Sequence, residues 1–261
     1  MPLLRLSIDN WNIFKNDIEA IERSSIYPLG NDFFKIDHGK NYFSFFERLG
    51  EVYYYGWIEN GKIVAVMAGV LRNLPLDGKN KKSWYFCDLK IHPEYRGFHI
   101  PVKIGKSLFP RYLRNPRGYA ISMNSIDGTN RMVKIASHLR WLNFVPRAKL
   151  LIWSLSFDEV IELKPLIEKY RGPISFLSLE GVKDIIIQST GKPIDLLHFQ
   201  FGPFSSGNTL RPRINAVHMF CATENDLLAQ EILRFKNYSA SATILSHRIE
   251  CDWSWVLTSE I

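Results

Sequence analysis

Apolar residues recur along this chain with two different periods, and the elements can be read where the period changes. "LLRLSI" (3–8) is a short apolar run that predicts a strand. Trp11, Phe14, Ile18 and Ile21 then return every three or four residues, as one helix face requires, with Asp9 or Asn10 placed to cap the start. "GKNYFSFFERLG" (39–50) predicts a second, short helix ended by Gly50. The clearest signal is "EVYYYGWIENGKIVAVMAGVL" (51–71), where two β-rich runs flank Asn60-Gly61, the pair best suited to a type I′ hairpin turn. "RNLPLDGKNKK" (72–82) reads as a loop and "SWYFCDLKI" (83–91) as the next strand. A strand "YAISMNS" (119–125), a helix "TNRMVKIASHLRWLNF" (129–144) and a closing strand "KLLIWSLS" (149–156) complete a β-α-α-β-β-β-α-β-α-β order.

A charged helical stretch, "FDEVIELKPLIEKYRGP" (157–173), marks a change of unit. Beyond it "ISFLSL", "DIIIQS", "LLHFQF" and "AVHMFCA" read as strands, and "TENDLLAQEILRFKN" (223–237) as a helix capped by Thr223. "ATILSHRI" and "WSWVL" are read as the last strands, with Trp253, Trp255 and Leu257 on one buried face. The fold class is therefore α/β, with a first domain over 1–156 and a second, smaller α/β domain over 157–261.

Composition narrows the function. The chain has 261 residues, enough for more than one unit of roughly 100–200 residues, with 46% apolar and 23% charged positions, as in an ordinary globular protein. Its net charge is +7, but no block of five or six like charges and no RNA-binding or zinc-finger signature accompanies it, so a nucleic-acid partner is not expected. Cys87, Cys221 and Cys251 are far apart and odd in number, which fits neither a disulfide framework nor a paired metal motif. No zinc-ligand spacing, G-x-S-x-G or P-loop motif occurs, so no metal is expected. "MPLLRLSIDNW" lacks the apolar core of a signal peptide and no run approaches about 18 apolar residues, so no membrane span is expected and the location read is cytoplasmic.

The candidate chemistry lies in "HPEYRGFHIPVKIGKSLF" (92–109). A strand that opens into a short loop and a helix N-terminus leaves several backbone N–H groups without helical partners, and the helix dipole adds positive potential, so an anion can bind there. Gly97 suits close approach of a phosphate to the backbone, and Pro101 suits a helix start while removing one N–H. Arg96 and Lys103 add positive charge. Asp88 is the lone acid inside "SWYFCDLKI", and its apolar neighbours predict a raised pKa, useful in a proton acceptor.

The element order of 1–156, "CDLKIHPEYRG" leading into the loop, and "LRWLNF" before the closing strand together resemble the GNAT-type N-acetyltransferase superfamily. The resemblance implies a mixed sheet, splayed beside strand 83–91 and flanked by helices. It implies acetyl-CoA, or another acyl-CoA, as co-substrate, its pantetheine arm against the backbone of Leu89, Lys90 and Ile91. The pyrophosphate would lie on Arg96, Gly97, Phe98, His99, Ile100 and Pro101, with Lys103 and Asn130 in the cofactor-binding set and Asp88 as the catalytic base. The implied reaction is acetyl transfer to a primary amine on a small molecule or a protein. The chain departs from the family pattern at His99 and Pro101, where small residues are usual, and at Leu139, where a tyrosine often protonates the leaving thiolate. Two other readings stand beside this one: a non-catalytic module with the same fold, and an acyltransferase whose donor is an acyl carrier protein.

Overall fold

Ser7 separates the first strand, β1 (Leu3–Leu6), from the first helix, α1 (Ile8–Arg23). It is Ser7, rather than Asp9 or Asn10, that caps α1; Asn10 instead turns its Oδ1 back to accept the Ser7 N–H at 2.9 Å. Ile18 and Ile21 are fully buried, as the helical spacing requires. The chain continues through β2 (Tyr27–Leu29), β3 (Asp32–Asp37) and α2 (Ser44–Glu47) to the hairpin β4 (Glu51–Glu59) and β5 (Lys62–Leu76). Asn60 and Gly61 both have positive φ, 50° and 79°, as a type I′ turn demands.

The expected loop at 72–82 is a second hairpin. β5 runs on to Leu76 and β6 (Lys79–Ile91) starts after Asp77-Gly78, again with both φ values positive, 53° and 70°. Pro75 is tolerated there because β4 pairs β5 only as far as Leu71, which leaves the rest of β5 an edge. Then follow α3 (Ile100–Tyr112), β7 (Gly118–Met123), α4 (Arg131–His138) and β8 (Val145–Leu155). The second half holds α5 (Phe157–Arg171), β9 (Ser175–Ser178), β10 (Asp184–Ile187), β11 (Leu196–Gln200), β12 (Val217–Thr223), α6 (Leu227–Ile232) and β13 (Ala240–His247). Asp226, not Thr223, caps α6, its carboxylate accepting from Leu228 N–H at 2.9 Å. "WSWVL" is not a strand: Trp253 and Trp255 pack on Tyr119 from an irregular segment that ends in a 3-10 turn at Thr258–Glu260.

The computed structural model describes residues 2–29, 32–138, 143–205 and 210–261. Among them, ten strands form one mixed sheet in the order β1-β4-β5-β6-β7-β13-β8-β12-β11-β9, and β10-β3-β2 form a small second sheet. β13, from the end of the chain, is inserted antiparallel between β7 and β8. The sheet expected within 1–156 is therefore continuous only with this strand from the second half. Position 156/157 falls between β8 and α5, and the sheet crosses it. Ile18, Ile21, Phe46, Tyr54, Ile152 and Ile244 belong to the core on one face of the sheet. On the other face, Ile100 and Ile104 of α3 pack on Trp57 and Ala65, and α5 and α6 pack on Trp153 and Phe220.

Candidate functional site

The sheet opens between β6 and β7. These strands run parallel and pair only at Trp84↔Gly118, Tyr85↔Tyr119 and Phe86↔Ala120. Beyond Phe86, β6 has β5 on one side and, among the described residues, no strand on the other. Its pairing with β5 shifts there: Asp88 and Leu89 together face Met67, a bulge in which Asp88 takes a left-handed φ of 54°. A bulge bends its strand, and here it coincides with the parting of β6 from β7. The gap beside strand 83–91 is the one that the GNAT resemblance implies.

The loop after β6 presents free amides. Among the described residues, the N–H groups of Gly97, Phe98, His99 and Ile100 have no backbone partner, and Val102 and Lys103 both donate to the His99 carbonyl. Gly97 has φ 91° and His99 φ 56°, so a residue with a Cβ fills the position that would best suit glycine. Pro101 is the second helical residue rather than the first, and the N–H it lacks is one that no helical carbonyl would have accepted. Arg96 is exposed and its Nε reaches the Ile91 carbonyl at 3.4 Å. Lys103 lies 3.9 Å from Glu59 and over the Trp57 ring, on the β4 side of α3. Asn130 caps α4 through its Oδ1, at 2.9 Å from Met132 N, and donates to the Ser122 carbonyl and Asn124, so its polar atoms are occupied. Leu139 lies outside the described residues.

On the other face of the gap is a cavity of about 490 Å³, between the large sheet and a cover made by β2, β3, α2 and β10. Phe34, Ile36, Phe45 and Ile185 belong to that cover, and the sheet supplies Cys87, Ile121, Ile152 and Met219. Gly39 fixes one edge of the cover. It has φ 64°, and a Cβ there would stand 2.0 Å from the Gly181 carbonyl oxygen, so only glycine lets these two loops meet.

Asp88 and His38 both line this cavity. Asp88 accepts from Lys90 at 2.6 Å, from Tyr42 at 2.8 Å and from Tyr54, and Lys90 also bonds Glu22 at 2.6 Å. Burial would raise the Asp88 carboxyl, but the Lys90 charge and these hydrogen bonds outweigh it and hold it below the ordinary range. The raised pKa expected from its apolar neighbours is thus corrected: Lys90, two residues on and on the same strand face, pairs with Asp88, and Tyr42 and Tyr54 donate to it from other segments. Glu22 is pushed up, by burial and by the Asp88 charge.

His38 was not singled out by the sequence, and no motif marks it. It is 5% exposed, and neither ring nitrogen has a partner among the described residues. Burial takes it down to about 3, so the ring is neutral. A ring nitrogen of His38 and carboxylate oxygens of Asp88 and Glu22 lie within 4.8 Å of one another. His92 and Glu94 stand at the turn after β6, 4.0 Å apart, with Glu94 exposed. His138 is an exposed histidine at the end of α4, bonded to the Lys134 carbonyl.

No helix among the described residues is long and apolar enough to cross a membrane. No family model matches the sequence, and no curated protein does. Solved structures do match. One is a tandem GNAT protein from the clavulanic acid biosynthesis pathway, 8% identical, covering 94% of this chain and 97% of its own, with a TM-score of 0.50. A probable N-acyltransferase from Enterococcus faecalis is 10% identical over 94% of this chain and 71% of its own, TM-score 0.45. A GCN5-related N-acetyltransferase from Anabaena variabilis is 11% identical over 94% and 71%, TM-score 0.46. The first of these covers both halves. With the parted strands β6 and β7 it shows that this chain has the GNAT-type N-acetyltransferase fold, extended by a second α/β unit.

Proposed function

We propose that the protein is an N-acyltransferase that takes its acyl group from an acyl-CoA and gives it to a primary amine. The observation that carries this reading is the gap beyond Phe86, with an unpaired β6 edge on one side and the free amides of Gly97 to Ile100 at its mouth. The pantetheine arm would hydrogen-bond along Leu89, Lys90 and Ile91 as a strand does, and the pyrophosphate would take the loop amides, with Arg96 alongside. Residues 1–156 supply the cofactor half and most of the cavity's cover, and 157–261 complete the cavity through β10, β11, β12 and β13. Acetyl, the group that the family resemblance implies, is among the small groups such a donor would carry.

Amine acylation requires a neutral amine and a group to take its proton as the C–N bond forms and the C–S bond breaks. The cavity favours the first: the burial that takes His38 down to about 3 and Lys183 to about 8 acts in the same way on an incoming ammonium. We assign to His38, whose nitrogens have no partner among the described residues, a transient relay. It takes the amine proton as the C–N bond forms, the Asp88 carboxylate within 4.8 Å offsetting the burial that disfavours an imidazolium, and passes it to the departing CoA thiolate as the C–S bond breaks. Asp88 therefore acts on His38 through the charge of its carboxylate, rather than as the base itself. The test is thiol release from acetyl-CoA and octanoyl-CoA with a panel of primary amines. His38→Gln should lower kcat by about a hundredfold or more with little change in KM for the donor. Release that is equal in wild type and variant would remove His38 from the reaction.

A further inference from the structure

We infer that the acyl group this protein transfers is a medium- or long-chain fatty acyl group, housed in the cavity across the large sheet. The inference rests on the reading of an acyl-CoA at the β6–β7 gap.

The cavity's shape comes first. Its floor crosses six neighbouring strands in sheet order: Cys87 on β6, Ile121 on β7, Ala240 on β13, Ile152 on β8, Met219 on β12 and Leu196 on β11. Strands in a sheet are about 4.8 Å apart, so the floor extends roughly 20 Å away from the gap. An acetyl group would fill only the first step of it. The volume of about 490 Å³ lies in the range of roughly 300–1,000 Å³ that houses whole ligands.

The lining sets the chemistry. Most of the walls are aliphatic, aromatic or thioether groups, and several of the polar groups along the floor bond one another or the backbone. His198 bonds Thr258 at 3.0 Å, Thr258 bonds the Met219 carbonyl at 3.0 Å, Ser154 Oγ donates to the Met219 sulfur at 3.4 Å, and Ser239 Oγ accepts from Ser154 N–H at 3.1 Å. Lys183 donates to the Ile261 carbonyl. A polar cargo would lose its water there and meet few free partners, which is costly. Among the described residues lining the cavity, only His38 has buried polar atoms without a partner, and it stands beside Asp88 rather than along the far floor.

The connection then distinguishes acyl chain from acceptor. A smaller apolar cavity of about 110 Å³ lies on the α3 and α4 face, and Met67, Phe86, Leu89, Ala120 and Met132 line both. These residues surround the parting of β6 and β7. A thioester in the gap would therefore open directly onto the apolar floor, with its carbon chain running along it and its carbonyl left near His38.

The test is calorimetric binding of CoA, acetyl-CoA, octanoyl-CoA and lauroyl-CoA to the whole chain. Each buried methylene should tighten binding roughly fourfold, so octanoyl-CoA should bind at least on the order of a hundredfold tighter than acetyl-CoA. Val217→Phe, which fills the far floor, should reduce the ratio of lauroyl-CoA to acetyl-CoA affinity. If CoA and acetyl-CoA bind while chain length has no effect, the cavity holds something else and this inference is overturned. If none of the four binds, the proposed function itself fails.

Discussion

The Lys90 ammonium and the Asp88 carboxylate meet at 2.6 Å beneath the cavity, with side chains only 3% and 6% exposed. Burial alone would lower the Lys90 pKa; the Asp88 and Glu22 charges outweigh it and hold it above the usual lysine range. Removing the cation would leave carboxylates buried without a counter-charge. Lys90→Met should destabilise the fold by about 3–5 kcal/mol, and adding Glu22→Gln should recover part of that loss. Urea denaturation of the two variants checks this. A single variant as stable as wild type would mean that the cluster is already neutral.

His99 has a left-handed φ of 56° at the head of α3. That conformation costs a residue with a Cβ roughly 1–2 kcal/mol, against about 0.4–1 kcal/mol for the freedom glycine adds to the unfolded chain. His99→Gly should thus leave stability unchanged or up to about 1.6 kcal/mol higher, and should leave CoA affinity equal or tighter. Weaker CoA binding by this variant would assign the imidazole a direct role in holding phosphate.

Burial takes His38 and His198 each down to about 3, from the ordinary value of 6.5. Between these values the unfolded chain binds protons that the folded chain does not. Their contribution to stability is whole above pH 6.5 and declines as pH falls toward 3, by up to about 1.4 kcal/mol per pH unit for each ring. His198→Gln should flatten this dependence relative to wild type in denaturation followed from pH 7 to pH 4. Equal slopes would show that His198 is protonated in the folded state.

Lys183 is buried over the Phe45 ring, 4.2 Å from its centroid, and burial lowers it to about 8. The unfolded lysine holds its proton up to 10.5, so charge here costs stability at neutral pH. Lys183→Met should stabilise the protein at pH 7 by roughly 1–3 kcal/mol, with the gain shrinking as pH rises from 8 to 10.5. A destabilised variant would show that its bond to the Ile261 carbonyl outweighs the burial of charge.

What could be read from the sequence was local. Asn60-Gly61 announced its hairpin because the turn's positive φ values are written in the residue types. Asp77-Gly78 makes the same turn, but Pro75 and the flanking lysines pointed to a loop, since the loss of β4 as a neighbour after Leu71 is a tertiary fact. The gap beside β6 was legible through element order. The insertion of β13 was not, because strand partners more than a hundred residues apart leave no periodic trace. Asp88 was legible as a lone acid in an apolar strand, while its donors Tyr42 and Tyr54, and Glu22 across Lys90, come from three other segments. His38 was hidden for the same reason: its neighbourhood exists only once the cover packs on the sheet.

The account's central claim is that a CoA thioester occupies the parting of β6 and β7. Amide hydrogen exchange of the whole chain, with and without saturating CoA, tests it directly. The account predicts slower exchange at Leu89 to Ile91 and at Gly97 to Ile100, with β1 and β9 unchanged. CoA that left both segments as fast as in its absence would contradict the claim.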